Sequence, residues 1–249
     1  MLPLTACPNV LAGTIPLPVQ IPQSLLAPPL LGAIVGITIW LGLVLAIAEV
    51  LSRQSSVPAE LPRKIVHIGS GNVILLAWWW HIPALIGIAA SVLFSGLTLL
   101  SYRYPIFKSV SGIGRRSWGT FFYAVSMGLL IGIFWLQGRP EFAVIGMLIM
   151  TWADGLAALI GQTYGRHPYQ VLQMTKSWEG TTTMFMVSSL VVGLTLWSMG
   201  GAMAVVPIAI AVGTVATLLE SFSQYGIDNL TVPLGSSILC FVLVHWFPI

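Results

Sequence analysis

The chain has 249 residues, 57% of them hydrophobic and only 7% charged, with a mean hydropathy of +0.93 and a formal net charge of +3. Soluble domains carry about 25% charged residues, so this composition excludes one and leaves lipid as the solvent that its surface fits. The basic residues do not alternate with aromatic ones, so nucleic acid is not an expected partner.

Residues 1–28 carry no charge and include Pro3, Pro8, Pro16, Pro18, Pro22 and Pro28. They lack the basic region of a secretory signal and read as a flexible, proline-rich arm at the membrane interface. Residues 29–249 read as a single polytopic transmembrane domain. With a hydrocarbon core of about 30 Å, apolar runs near 29–51, 65–82, 83–100, 119–137, 142–162, 181–199, 203–222 and 231–248 are candidate spans. The expected fold class is therefore all-α, a membrane helical bundle of seven to eight helices. Span 65–82 is the weakest, because His67, Ser70, Gly71 and Asn72 dilute it, and Trp78-Trp79-Trp80 closes it as an aromatic belt.

Loops 52–64, 101–118 and 163–180 hold Arg53, Arg63, Lys64, Arg103, Lys108, Arg115, Arg116, Arg166 and Lys176, whereas the opposite side keeps only Arg139. The positive-inside rule puts these loops on the cytoplasmic face and the amino terminus outside. Cys7 and Cys240 show no metal-ligand spacing.

Ionisable groups near membrane depth cost roughly 2.5–3.5 kcal/mol on insertion scales, so those retained point to a function. Asp154 opens the segment 154–166, where Asp154, Ala158, Gly161 and Gly165 fall within about 40° on a helix. A carboxylate above small residues suits a Mg²⁺ ligand bridging phosphate oxygens. Ala157, Gly161 and Gly165 also fit a small-residue helix contact, which explains the glycines but not Asp154. In Lys176-Ser177-Trp178-Glu179-Gly180, Ser177 reads as an N-cap and Glu179 as its dipole partner. Lys176 opposes that dipole unless an anion docks there. Arg63 and Lys64 follow Pro62 at another expected helix start, with His67 one turn on; they suit phosphate binding beside a hydroxyl-positioning base. Gly226 reads as the end of the seventh span, leaving Asp228 and Asn229 in a turn, with Glu220 a further metal candidate. No phosphate-binding Gly-x-x-x-x-Gly-Lys loop, protein-kinase signature, nucleophile elbow or zinc spacing is present.

Four blocks together resemble the polytopic polyprenol kinase family, and within it the phytol kinases of tocopherol synthesis. They are Arg63-Lys64-x-x-His67, then Asp154-Gly155-x-Ala157-x-x-x-Gly161-x-x-x-Gly165, then Lys176-Ser177-x-Glu179-Gly180, then Glu220 with Asp228-Asn229. Dolichol kinases look similar over the second and third blocks. The resemblance implies transfer of the terminal phosphate of CTP, or another nucleoside triphosphate, to an isoprenoid alcohol entering from the lipid phase. It implies catalytic roles for Asp154, His67, Lys176 and Glu179. Nucleotide binding would fall to Arg63, Lys64, Gly155, Gly161, Gly165, Lys176, Ser177, Gly180 and Asn229, and Mg²⁺ to Asp154, Glu179, Glu220 and Asp228. A cytidylyltransferase that makes CDP-lipids and a secondary transporter are the alternatives. The transporter would place its polar groups at the bilayer midplane within repeats, and no repeat is visible.

Overall fold

The computed structural model describes residues 28–54, 57–58, 60–103, 118–172, 174–201 and 203–247. The arm at 1–27, with Cys7, lies outside the described residues, as do Lys108, Arg115 and Arg116 of the second basic loop.

Helix α1 (Pro28–Ser52) leads to α2 (Glu60–Gly71), α3 (Val73–Trp79), α4 (Ala84–Arg103) and α5 (Gly119–Phe134), which ends in a 3₁₀ turn over Trp135–Gln137. Helix α6 (Pro140–Leu148) runs through a π-helical stretch, Ile149–Asp154, into α7 (Gly155–Tyr164). Two short strands, β1 (Pro168–Val171) and β2 (Met174–Ser177), pair antiparallel. Helices α8 (Trp178–Ser198), α9 (Val205–Ser221) and α10 (Asp228–Trp246) complete the bundle.

Six of the described helical segments are long and apolar enough to cross a membrane, and α9 is a shorter apolar helix. Their ends agree with the expected spans to within a few residues, apart from the second. The structure breaks segment 65–82 between α2 and α3, so a single continuous span there is corrected. Asn72 is the joint: its carbonyl accepts from the Leu75 and Leu76 amides, and its side chain accepts the Trp152 indole N–H at 3.0 Å. Broken backbone of this kind is stable at membrane depth only where protein covers it. A second correction concerns Asp228 and Asn229, which form the first turn of α10. The chain turns at 222–227, where Gly226 has φ +86°.

The segment α6–π–α7 is the hub. Phe142, Val144, Ile145, Met147, Ile149 and Met150 are all fully buried. A helix apolar on every side belongs inside a bundle, and α5, α8 and α10 pack around this one. A Cβ at Gly146 would run into the Ser237 side chain and the Pro233 carbonyl, so α6 and α10 cross almost backbone to backbone. Ser237 Oγ seals that crossing by donating to the Phe142 carbonyl at 2.8 Å. Leu43, Ile47, Val92, Leu93, Leu190 and Leu194 lie on the outside, as a lipid-facing surface requires.

At one end of the bundle the rings of Phe134, Phe142 and Phe241 cluster with centroids 5.2–5.7 Å apart. Arg139 lies 4.9 Å above the Phe142 ring and pairs with the buried Glu141 at 2.7 Å. The opposite end carries Arg63, Lys64 and Lys176, the hairpin and the turn at 222–227.

Candidate active site

The basic end gathers charge in two ion pairs, one nearly closed to solvent and one half-buried. Helix α2 starts after Pro58, with Glu60 in its first turn complementing the dipole. Three residues on, Arg63 pairs with Glu60 on the exposed side. That hydrogen bond raises the Arg63 pKa still further, so the guanidinium is a permanent cation at the rim. The next residue, Lys64, faces inward. Its Nζ lies 2.7 Å from Asp154 Oδ2, with the two side chains only 7% and 13% exposed.

His67 shares that inner face. Its Nε2 is 3.0 Å from the Met150 carbonyl oxygen and 3.6 Å from Asp154 Oδ2. A carbonyl can only accept, so the proton sits on Nε2 and Nδ1 keeps the lone pair. The Tyr123 ring packs 4.8 Å from the imidazole, and its hydroxyl lies 3.1 Å from Thr151 Oγ1. Met150, Thr151 and Asp154 all belong to the π-helical stretch. Such a stretch widens the helix by one residue per turn and recurs at functional sites.

The second pair is Lys176–Glu220. Strand β2 delivers Lys176 to the end of α9, where Nζ lies 2.7 Å from Glu220 Oε1 and 2.5 Å from the Glu220 backbone oxygen. Ser223 follows in the turn and Asp228 opens α10, with Ser223 Oγ 3.5 Å from Asp228 Oδ1. Asp228 lies within electrostatic reach of Asp154, Glu220 and Lys64. Asn229 is held locally, donating from its side chain to the Gly226 carbonyl at 3.3 Å.

Glu179 points elsewhere. Its Oε1 lies 2.7 Å from His167 Nδ1, in a pair at the base of the hairpin with His167 75% exposed. Ser177 is the N-cap that its position suggests, accepting the Gly180 amide at 3.2 Å.

The glycines are occupied by helix packing. A Cβ at Gly161 would stand 3.0 Å from Ser177 Oγ, one at Gly165 2.9 Å from Ser177 Cβ, and one at Gly180 2.9 Å from the Ala157 carbonyl oxygen. Gly155 meets Ile68 of α2 at 2.8 Å in the same sense. These small residues bring α7 against α2 and the start of α8, which is the helix-contact alternative read from their spacing.

Among the described residues no three His, Cys, Asp or Glu side chains converge as a ready-made metal cage. This arrangement is compatible with Mg²⁺, which takes one or two carboxylates and completes its shell with water and phosphate. Asp154 and Asp228 supply hard oxygen donors of that kind.

Tyr123, Thr151, the Met150 carbonyl and His167 were not singled out from sequence. A lone tyrosine inside an otherwise apolar span was the available signal for the first. The others depend on tertiary contact.

Fold and site together define an integral membrane enzyme whose charged centre lies at one end of the bundle. No protein-family model and no solved structure matches the chain. Among curated proteins, the phytol kinase of Synechocystis sp. is 53% identical over 80% of this chain and 86% of its own length. A probable phytol kinase 1 of Glycine max is 30% identical over 78% of this chain and 70% of its own. The CTP-dependent diacylglycerol kinase 1 of Schizosaccharomyces pombe is 23% identical over 77% of this chain and 96% of its own. The chain belongs to the phytol kinase family and is a lipid-alcohol kinase.

Proposed function

We propose that the chain transfers the γ-phosphate of CTP to phytol, on the cytoplasmic face, giving phytyl phosphate and CDP. The buried Lys64–Asp154 pair beside His67 is the observation that carries this reading. A buried ion pair is weak evidence for stability alone. One placed between a basic rim and a lipid-open bundle suits phosphate chemistry. The Synechocystis relative's name supports phytol as acceptor, and that of the S. pombe relative supports CTP as donor.

Phosphoryl transfer asks the protein for positioning and charge neutralisation. Arg63 at the rim, then Lys64 and Lys176 inside, receive the triphosphate. Both lysines hold carboxylate partners that phosphate oxygens can replace as ligands of the ammonium groups. Asp154 and Asp228 would hold Mg²⁺, which supplies further neutralisation of phosphate charge when bound. His67 accepts the alcohol proton at Nδ1 while Met150 and Tyr123 fix its ring. The new bond joins the alcohol oxygen to the γ-phosphorus, and the bond to the β,γ-bridging oxygen breaks. We assign Glu179 to anchoring the hairpin through His167. Ser177 and the glycines at 155, 161, 165 and 180 hold α7 and α8 in register for the nucleotide, and Asn229 shapes the start of α10.

Product analysis of purified protein in detergent, with Mg²⁺, phytol and γ-labelled CTP, tests this. Label in phytyl phosphate is expected, and parallel assays with ATP and farnesol rank donor and acceptor. Pyrophosphate release with phosphatidate and no labelled alcohol would replace the reading with cytidylyl transfer.

A further inference from the structure

Helix α2 and the π-helical stretch share one seam, and its contacts follow one another along α2. Lys64 meets Asp154 at 2.7 Å, and His67 Nε2 meets the Met150 carbonyl oxygen at 3.0 Å. A Cβ at Gly71 would run into the Thr151 and Tyr123 hydroxyls, so the two elements close tightly there. Last comes Asn72, whose side chain accepts the Trp152 indole N–H at 3.0 Å.

The seam opens at this last contact. From Glu141 to Ala153 every residue of the hub is buried except Trp152, which is 37% exposed. Asn72 beside it is half-buried. Asn72 lies eight residues beyond Lys64 and eight before Trp80, about 12 Å of helix either way. The opening therefore faces hydrocarbon. A tryptophan of a membrane protein usually sits at the water interface, where its N–H finds a polar partner. Here Asn72 supplies that partner at depth and holds the indole in the opening.

We propose that this opening is the port through which the acceptor alcohol reaches His67, and that the Trp152 ring packs against its isoprenoid chain. The proposal rests on the kinase reading above and adds a specificity residue to it. His67 and Asn72 are five residues apart, about 7.5 Å along α2. A chain whose oxygen lies at the imidazole therefore reaches the indole after its first isoprene unit and leaves the remainder in the bilayer. Trp152 is also two residues from both Met150, which holds the imidazole, and Asp154. The ring that touches the chain and the groups that meet its head thus stand on one rigid element. The triphosphate keeps the basic side, with Lys64 and Lys176.

The test is photolabelling of the purified full-length protein with an isoprenoid alcohol carrying a diazirine in its second isoprene unit, followed by peptide mapping. Adducts within 72–76 and 150–154 that excess phytol suppresses are expected. Adducts confined to other segments would overturn the proposal. So would adducts at the port that phytol fails to suppress, which would mark a site for membrane lipid. In a second arm, Trp152→Ala removes the ring. The ratio of kcat/KM for phytol to that for prenol, a single isoprene unit, should fall roughly tenfold or more. Damage to the seam that merely misplaced His67 would slow both alcohols alike, so an unchanged ratio would overturn the proposal. Trp152→Phe, which keeps a ring and loses the N–H, should retain most of the selectivity. An equal fall in both variants would trace it to the hydrogen bond with Asn72 and overturn the proposal too. Wild-type protein that phosphorylates no alcohol would count against the kinase reading instead, because photolabelling reports the port without turnover.

Discussion

Lys64 and Asp154, ninety positions apart in the chain, meet at 2.7 Å inside the bundle, and both are nearly closed to solvent. Neither charge has another partner as close, so each makes the other's burial tolerable. Removing one member of a buried pair strands the second, at a cost of about 3–5 kcal/mol, whereas removing both charges is far less damaging. Lys64→Met should therefore lower the thermal midpoint in detergent. The double variant Lys64→Met/Asp154→Asn should recover much of that loss while staying inactive. Thermal unfolding of the two variants checks this, and a double variant no more stable than the single one would contradict it.

The Lys176–Glu220 pair ties strand β2 to the end of α9. A charged hydrogen bond is worth about 1.5–3 kcal/mol, so Lys176→Ala should weaken nucleotide binding by roughly ten- to a hundredfold. Lys176→Arg should retain part of the affinity, because the cation remains. Steady-state kinetics with nucleotide varied would show the effect in KM. A change confined to the alcohol KM would remove Lys176 from phosphate binding.

Glu179 separates two accounts of the motif around it. As an anchor for His167 it is replaceable: exposed pairs of this kind contribute little. Glu179→Gln and His167→Ala should each keep activity within about fivefold of the parent. A loss as deep as that of an Asp154 variant would return Glu179 to the metal or the phosphates.

Gly180 and Gly132 form a matched pair of tests. A methyl at Gly180 would press on the Ala157 backbone, while one at Gly132 meets nothing within 4 Å. Overpacking a close helix contact costs about 1–3 kcal/mol, and Gly→Ala on an open helix face gains roughly 0.5–1 kcal/mol. Gly180→Ala should destabilise and Gly132→Ala should not, by thermal unfolding in detergent. Equal effects would mean that α7 and α8 do not approach as the structure places them.

Hydropathy made most spans legible, because a helix that must cross about 30 Å of hydrocarbon leaves a long apolar run. The break at Asn72 showed only as a dilution of the apolar run by His67, Ser70, Gly71 and Asn72. That it is a joint depends on the Trp152 indole, a partner eighty residues away. The hairpin at 168–177 was not legible, since four-residue strands carry too little alternation to register. At the site, Asp154, Lys64, His67, Lys176 and Glu220 all stood out as ionisable groups in an apolar chain. Their pairing did not. Arg63 and Lys64 are equivalent as sequence, and only packing turns Lys64 inward and leaves Arg63 with Glu60. The π-helical stretch was equally hidden, because the residues that compose it would also sustain an ordinary helix.

The central claim is that Asp154 acts on the transferring phosphate, and single-turnover transfer from γ-labelled CTP to phytol by Asp154→Asn tests it most directly. The account predicts no labelled phytyl phosphate from a variant that still inserts, folds and binds nucleotide. Transfer near the wild-type rate in that variant would contradict it.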